Sequence, residues 1–493
     1  MNIRLPIAPV GAERLSTAGY AGGVTILFVL LGYVIGKLAF AGILLFAILP
    51  PLFYFFRKLF TVRQTGFRAL LIYAFIGIGS GKYASSAFGG SVVGLGIDFL
   101  LLFILLSVLF SGMTSVEDRA YIRTPIMYFT VAWFAVNVIQ MFNPLAPGFE
   151  AWFYAGRGVS FYMLFAIPLA AVLFNTERDL ESFIDLWLIL SVLGALWGMK
   201  QKFIGLDDAE RAWLSKPGNL KTHLLFGQLR IFSFYTDAGQ FGAAQGHTAV
   251  AAFIMALGPA ARRKKFLYLA AGIISLYAMI ISGTRGAIAV PAFGFLTYLI
   301  LSRNWKILMI GMIVMAGAYG FLKYTYIGQD NYDIRRLRTS LDPNNASLQV
   351  RLVNQARLAQ YLHSHPFGGG VGAGGFWGNR FKPGSFLAEL ALDSWYVRIA
   401  SDYGWFGLAF YLVMIFYFIV SGFYVVFRMT DALFRQKLAA VYCGMVGIAV
   451  ASYGNQVWGQ MPTGIIIYVT LGFLSVVPVK YAHLYSKKRP AMD

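Results

Sequence analysis

Residues 345–426 read NASLQVRLVNQARLAQYLHSHPFGGGVGAGGFWGNRFKPGSFLAELALDSWYVRIASDYGWFGLAFYLVMIFYFIVSGFYVV. The last part, 404–426, carries no charge. As a helix it would cross the ~30 Å hydrocarbon core of a bilayer. The part before it is a long polar insertion. Across 346–364, Leu348, Leu352, Gln355 and Leu358 stand at i, i+4, i+7 and i+10, which predicts a short amphipathic helix. Arg351, Asn354, Arg357 and Tyr361 fall on the opposite face. Pro366 should stop that helix, and Gly368–Gly378 should follow as a flexible glycine run. A second helix is expected from near Asp393 into the apolar run that starts at Trp405.

Apolar runs of this length recur at 19–36, 39–56, 69–88, 91–111, 124–142, 159–175, 184–204, 244–260, 266–282, 286–301, 307–323, 404–426, 438–456 and 461–481. The chain of 493 residues is 58% hydrophobic and 13% charged, where a soluble domain would carry about a quarter charged residues. About fourteen spans are therefore expected, in an all-α, polytopic transmembrane bundle forming one integral-membrane domain over 1–493. Open sheets are excluded because their edges find no hydrogen-bond partner in lipid. The first run is long and lacks a small-residue cleavage site, so it is expected to remain as a span. The single cysteine, Cys443, excludes an intramolecular disulfide.

Short basic loops at 57–68, 119–123, 262–265, 303–306, 428–437 and 487–489 fall at alternate positions. The positive-inside bias assigns them, with both termini, to the cytoplasm. Two long loops, 205–243 and 323–403, then lie outside. Both are rich in cations. The first carries Arg211, Lys216, Lys221 and Arg230, and the second includes Arg335, Arg336, Arg338, Arg351, Arg357, Arg380, Lys382 and Arg398. The net charge of +20 thus sits in loops between spans, which disfavours nucleic acid and favours an anionic substrate. A guanidinium fork matches phosphate oxygens bidentately, so an outward basic cavity beside the bilayer would suit a lipid pyrophosphate. The clustered Arg335–Arg338 group reads more simply as contacts to lipid headgroups. Arg351, on its helix beside the glycine turn, reads as functional.

The chain has five histidines and no HExxH, DxD, CxxC or GxxxxGK pattern, so no metal and no cofactor are expected. Asp393 has two readings: a proton acceptor for a hydroxyl, or an N-cap, and spacing alone favours the cap. The glycine run could be a lid, a close approach to phosphate, or a mobile loop. Arg285 falls at the outer end of its span. His247, just inside a span, is either functional or headgroup-facing. Asn455, Gln456 and Gln460 could hydrogen-bond sugar hydroxyls. Trp458 and the aromatic residues of 150–154 read as an interfacial belt rather than a sugar platform.

Taken in order, Arg351, then Pro366 with Gly370 and Gly372, then Asp393-Ser394, Tyr396, Asp402, Gly404 and Gly407 resemble the C-terminal signature of the O-antigen polymerase and ligase superfamily. RIFSFYTDAGQFGAA from Arg230 and SGTRGA around Arg285 resemble two upstream elements of that family, and the resemblance runs from Leu229 to Leu412. It implies an integral-membrane glycosyltransferase of the bacterial inner membrane, working on the periplasmic face without a metal. The donor would be an undecaprenyl-pyrophosphate-linked oligosaccharide, moved as a block, with the lipid bilayer and a chain-length regulator as partners. It implies catalytic roles for Asp393, Arg351 and Arg230, with Arg230 and Arg351 converging on one pocket. Arg285, Arg357, Tyr396, Gly370 and Gly372 are expected to bind substrate. A repeat-unit polymerase is the leading reading. A ligase acting on lipid A core or a protein hydroxyl is the first alternative, disfavoured because ligases of the family usually carry His where Asp393 stands. A lipid-linked glycan flippase is the second, disfavoured because the cations collect in loops rather than inside spans.

Overall fold

A computed structural model of the chain describes residues 49–82, 89–112, 115, 117–225, 227–342, 344 and 346–484. The arm at 1–16, the span at 19–36, most of that at 39–56 and the basic group at 487–489 lie outside the described residues. The chain divides into residues 1–62 and 63–493. In the first unit, residues 49–61 are helical, with Lys58 Nζ 5.5 Å from the centre of the Tyr54 ring.

Among its described residues the second unit is predominantly helical, with one antiparallel pair of two-residue strands, Leu224–Leu225 and Gln228–Leu229. Its principal helices are α1 (Thr65–Ser80), α2 (Gly89–Phe110), α3 (Pro125–Gln140), α4 (Phe149–Leu173), α5 (Glu177–Phe203), α6 (Ala238–Leu257), α7 (Arg262–Ile281), α8 (Ala289–Leu301), α9 (Trp305–Tyr324), α10 (Ala346–Ser364), α11 (Trp395–Arg428), α12 (Ala432–Ala451) and α13 (Thr463–Lys480). Among the described residues, seven helices are long and apolar enough to cross a membrane: α4, α5, α7, α9, α11, α12 and α13. Four shorter apolar helices, Thr65–Gly77, Gly94–Phe110, Pro125–Gln140 and Arg285–Leu301, fall where further spans were expected. The chain is an all-α polytopic membrane protein, and the described residues do not confirm the expected count of fourteen spans.

The expected span 244–260 is displaced. α6 begins at Ala238, is capped by Asp237 accepting from Gln240 N–H, and ends at Leu257. Its sequence, AGQFGAAQGHTAVAAFIMAL, is too rich in small and polar residues to face lipid. Instead it packs against α7, α8 and α12, with nearly every side chain buried. Small residues let helix backbones approach closely, the usual basis of helix packing in membranes. His247 lies inside this core, edge-on to Trp187 at 4.7 Å. It does not face the headgroups. At the other extreme, no side chain of α9 is buried, and α11 turns Phe406, Val413 and Phe416 outward. Apolar side chains exposed along such helices are suited to lipid contact.

The polar insertion folds as several short pieces. α10 occupies Ala346–Ser364 as its periodicity predicts, but its buried face is shifted. Leu358 and Leu362 are buried with Leu387, Leu390 and Leu392, while Leu352 is exposed. Tyr361, expected on the polar face, packs into that cluster and stacks on Phe386 and His365. The glycine run contains a helix, Gly375–Phe381. The turn before it docks onto the following span. Trp405 N–H donates to the Pro366 carbonyl at 2.9 Å, and Gly369 N–H to that of Ser401 at 2.9 Å. This docking occurs where α11 breaks at Gly404, with φ 69° and ψ −165°. A Cβ at Gly404 would lie 2.0 Å from the Pro366 oxygen, so both backbone angle and contact require glycine.

Candidate functional site

The two long loops meet over one cavity of about 720 Å³. Its lining comes from the loop before α6, the turn before α8, the start of α10, the entry to α11 and the loop between α12 and α13. Arg230, Arg285, Arg336, Arg351 and Asp393 all line it. The expected convergence of Arg230 and Arg351 is therefore observed. Arg285 shares the cavity with both long loops, which puts it at the same end of the bundle.

Local sequence explains how the cations are held. Arg230 donates to Thr284 Oγ1 at 2.9 Å and to the Thr222 carbonyl at 3.1 Å. Thr284 Oγ1 in turn donates to the Ala238 carbonyl at 2.8 Å, which ties Arg230 to the start of α6. Arg336 donates to the Gly283 carbonyl and to Tyr332 Oη. Gly283 has φ 60°, and a Cβ there would meet Arg336 at 3.1 Å. At Gly286 a Cβ would lie 2.5 Å from Asn455 Nδ2. The SGTRGA element thus makes room for two neighbours of the cavity as well as presenting Arg285. Burial, reinforced by Arg336, pulls the Arg230 guanidinium down to about 10, so it remains cationic at neutral pH.

The segment carrying Arg230 is anchored to the end of α5. Gln201 Oε1 accepts from the backbone N–H of Ser233 at 2.8 Å, and its Nε2 donates to Glu210 at 2.7 Å. Glu210 is 1% exposed and also accepts from Trp197 and Lys200. His223, buried against Trp213 and Phe232, turns Nδ1 to the Asn219 carbonyl at 3.0 Å. The Thr222 hydroxyl lies 2.8 Å from the same nitrogen.

Asp393 is not the helix cap. Ser394 caps α11, its Oγ accepting from Val397 N–H, and it also donates to the Ser452 carbonyl. Asp393 is left one residue outside the helix. It is 54% exposed, with Oδ2 3.8 Å from Arg351 Nε. That separation is a loose ion pair rather than a hydrogen bond, so both groups keep capacity for a ligand. Arg230 Nε, Arg351 Nε, Asn455 Nδ2 and Gln460 Oε1 are buried without a hydrogen-bond partner among the described residues. All four belong to residues lining the cavity. Buried polar atoms are ordinarily satisfied, and unsatisfied ones grouped around one cavity suit a polar, anionic ligand.

The other expected site residues fall elsewhere. Arg357 stands over the Phe386 ring at 5.6 Å, and Tyr396 Oη donates to the Ala449 carbonyl at 2.6 Å. Gly370 and Gly372, at φ 83° and 82°, press against Ala146 and Ala151. The backbone N–H groups of Gly372, Ala373 and Gly374 face the buried Asp402 carboxylate. None of Arg357, Tyr396, Gly370 and Gly372 lines the cavity. Sequence reasoning passed over Arg336, since its run of arginines read as headgroup contacts; Arg338 is instead held by Gln329, Thr325 and the Ile327 carbonyl. His223 and Thr284 were also missed, although Thr284 directly precedes Arg285 in the quoted element. Among the described residues, no group of three or more His, Cys, Asp or Glu side chains is placed to hold a metal ion.

The fold and cavity define a polytopic helical membrane protein with a cation-lined polar site. Residues 270–412 match the family model described as O-antigen ligase. The matched segment contains Arg285, Arg336, Arg351 and Asp393 but stops short of the α12–α13 loop, and Arg230 precedes it. The match supports the O-antigen polymerase and ligase superfamily for this chain, and with it membrane glycan transfer of the ligase and polymerase type. No curated protein matches the chain.

Proposed function

We propose that this chain is a repeat-unit polymerase. It moves an undecaprenyl-pyrophosphate-linked oligosaccharide en bloc to an acceptor sugar hydroxyl at the periplasmic face of a bacterial inner membrane. The observation that carries this reading is the convergence of Arg230, Arg285, Arg336, Arg351 and Asp393 on one cavity. The acceptor oxygen attacks the anomeric carbon, and the new glycosidic bond forms as the carbon–oxygen bond to pyrophosphate breaks. That bond's electron pair leaves with the carrier pyrophosphate, and the acceptor proton passes to Asp393. The arginines hold the charge that grows on the leaving group. Fixed cations aimed at developing charge are worth several kcal/mol in a water-poor site. Asn455 and Gln460 supply an amide donor and an acceptor carbonyl for sugar hydroxyls.

A second reading, ligation of finished glycan to lipid A core, is favoured by the description of the matched family. Deleting the gene and running the surface polysaccharide on a gel separates the two. Single repeats on the anchor are the result expected of a lost polymerase. Full-length polymer stranded on the carrier lipid would mean a ligase, and an unchanged ladder would overturn both.

A further inference from the structure

We propose that the aromatic cluster around the short helix Gly375–Phe381 is a glycan-binding platform. It would hold the acceptor oligosaccharide where it enters the cavity, and the proposal rests on the glycan-transfer reading above. Phe376 is 71% exposed and lines the same cavity as Asp393. Its ring stands edge-on to Trp377 at 4.9 Å. Trp377, Tyr154 and Phe381 then lie parallel within 20°, with centroids 5.3, 6.1 and 6.3 Å apart. The Arg380 guanidinium stands between 5.2 and 5.8 Å from all three rings.

An interfacial belt, the reading given to Tyr154 from sequence, needs only single rings at headgroup depth. Here rings from two distant segments are aligned with one another, approached by an arginine, and adjoin the cavity through Phe376. Aromatic faces carry negative charge density, which suits the C–H faces of sugar rings. Guanidinium N–H groups match sugar hydroxyls and carboxylates. The exposed Asn379 spends its amide N–H groups on the carbonyls of Gly375 and Ala388, which leaves its Oδ1 as an acceptor beside the platform. Half-buried, mutually stacked rings lose little conformational freedom on binding.

The test uses full-length protein in lipid nanodiscs. The probe is a set of oligosaccharide fragments made by partial hydrolysis of the producing cell's own surface polysaccharide, with binding read by saturation-transfer NMR and tryptophan fluorescence. Phe376→Ala and Trp377→Ala should weaken fragment binding roughly tenfold, while Trp377→Phe stays within about twofold of wild type. Phe376 is a surface residue, so its variant keeps the test valid should Trp377→Ala fail to fold. In cells, Phe376→Ala should shorten the polymer. Fragments that do not bind wild type, or bind both alanine variants as well as wild type, overturn the platform. The transfer reading fails separately, through an unchanged polysaccharide in the deletion strain.

Discussion

Asp393 and Ser394 are neighbours with separable jobs. Ser394 satisfies an orphan N–H at the start of α11, so Ser394→Ala should cost about 1 kcal/mol of stability and little chemistry. Asp393→Asn keeps shape and hydrogen-bonding length but removes the basic oxygen. At matched protein levels it should cut polymer synthesis roughly 10²–10⁴-fold with melting temperature unchanged. Wild-type polymer from the Asn variant would leave the arginines alone to carry the mechanism. For those arginines the fork matters more than the charge. Arg230→Lys and Arg351→Lys should impair polymer formation nearly as much as the alanine variants. Full activity in both lysine variants would tell against direct phosphate contact.

At the scale of elements, two junctions hold the cavity. The Pro366 turn seats on the break in α11 at Gly404, where left-handed backbone and close contact coincide. Gly404→Ala should therefore abolish folded protein. Gly384, with φ 75° and no described neighbour within 4 Å of where a Cβ would stand, provides the control. Gly384→Ala should cost only the conformational penalty of about 1–2 kcal/mol, read from expression and thermal melts. The second junction is the loop holding His223 and Arg230. Burial holds the His223 imidazole below its ordinary range. As pH falls from about 6.5, the unfolded chain takes up a proton that the native one resists, so stability declines toward the native pKa. Melting temperature in detergent should fall between about pH 7 and 5, and His223→Gln should flatten that slope. An equal slope in the variant would assign the acid sensitivity to other groups.

At the scale of the whole molecule, both long loops contribute to one cavity and so lie at one end of the bundle. Reporter fusions at Lys216 and Asn344 should score alike, and as periplasmic. A cytoplasmic score at Asn344 would sink the glycan-transfer reading, because that reading requires the donor glycan to lie outside. Fusions in 57–68 and 428–437 should score as cytoplasmic.

The all-α membrane class, the two long loops, α10 and the ordered motifs from Arg230 to Gly407 were legible in the amino-acid sequence. Apolar run length, helical periodicity and proline or glycine punctuation are local properties, and these features need nothing else. Which polar residues share a cavity is a non-local property. Arg230 and Arg351 could be paired in advance only through family motifs, and Arg336 was passed over because it stands in a run of arginines, of which Arg338 turns elsewhere. Asp393 looked like a cap because Asp and Ser both cap well, and only the backbone geometry assigned that role to Ser394. Gly370 and Gly372 looked like substrate contacts, yet their freedom serves close packing on α4 and its preceding loop. α6 shows the same division: its small and polar residues blur the span boundary in sequence. Its place at the centre is decided by the neighbours that bury it, because helices in a membrane associate through close packing rather than apolarity.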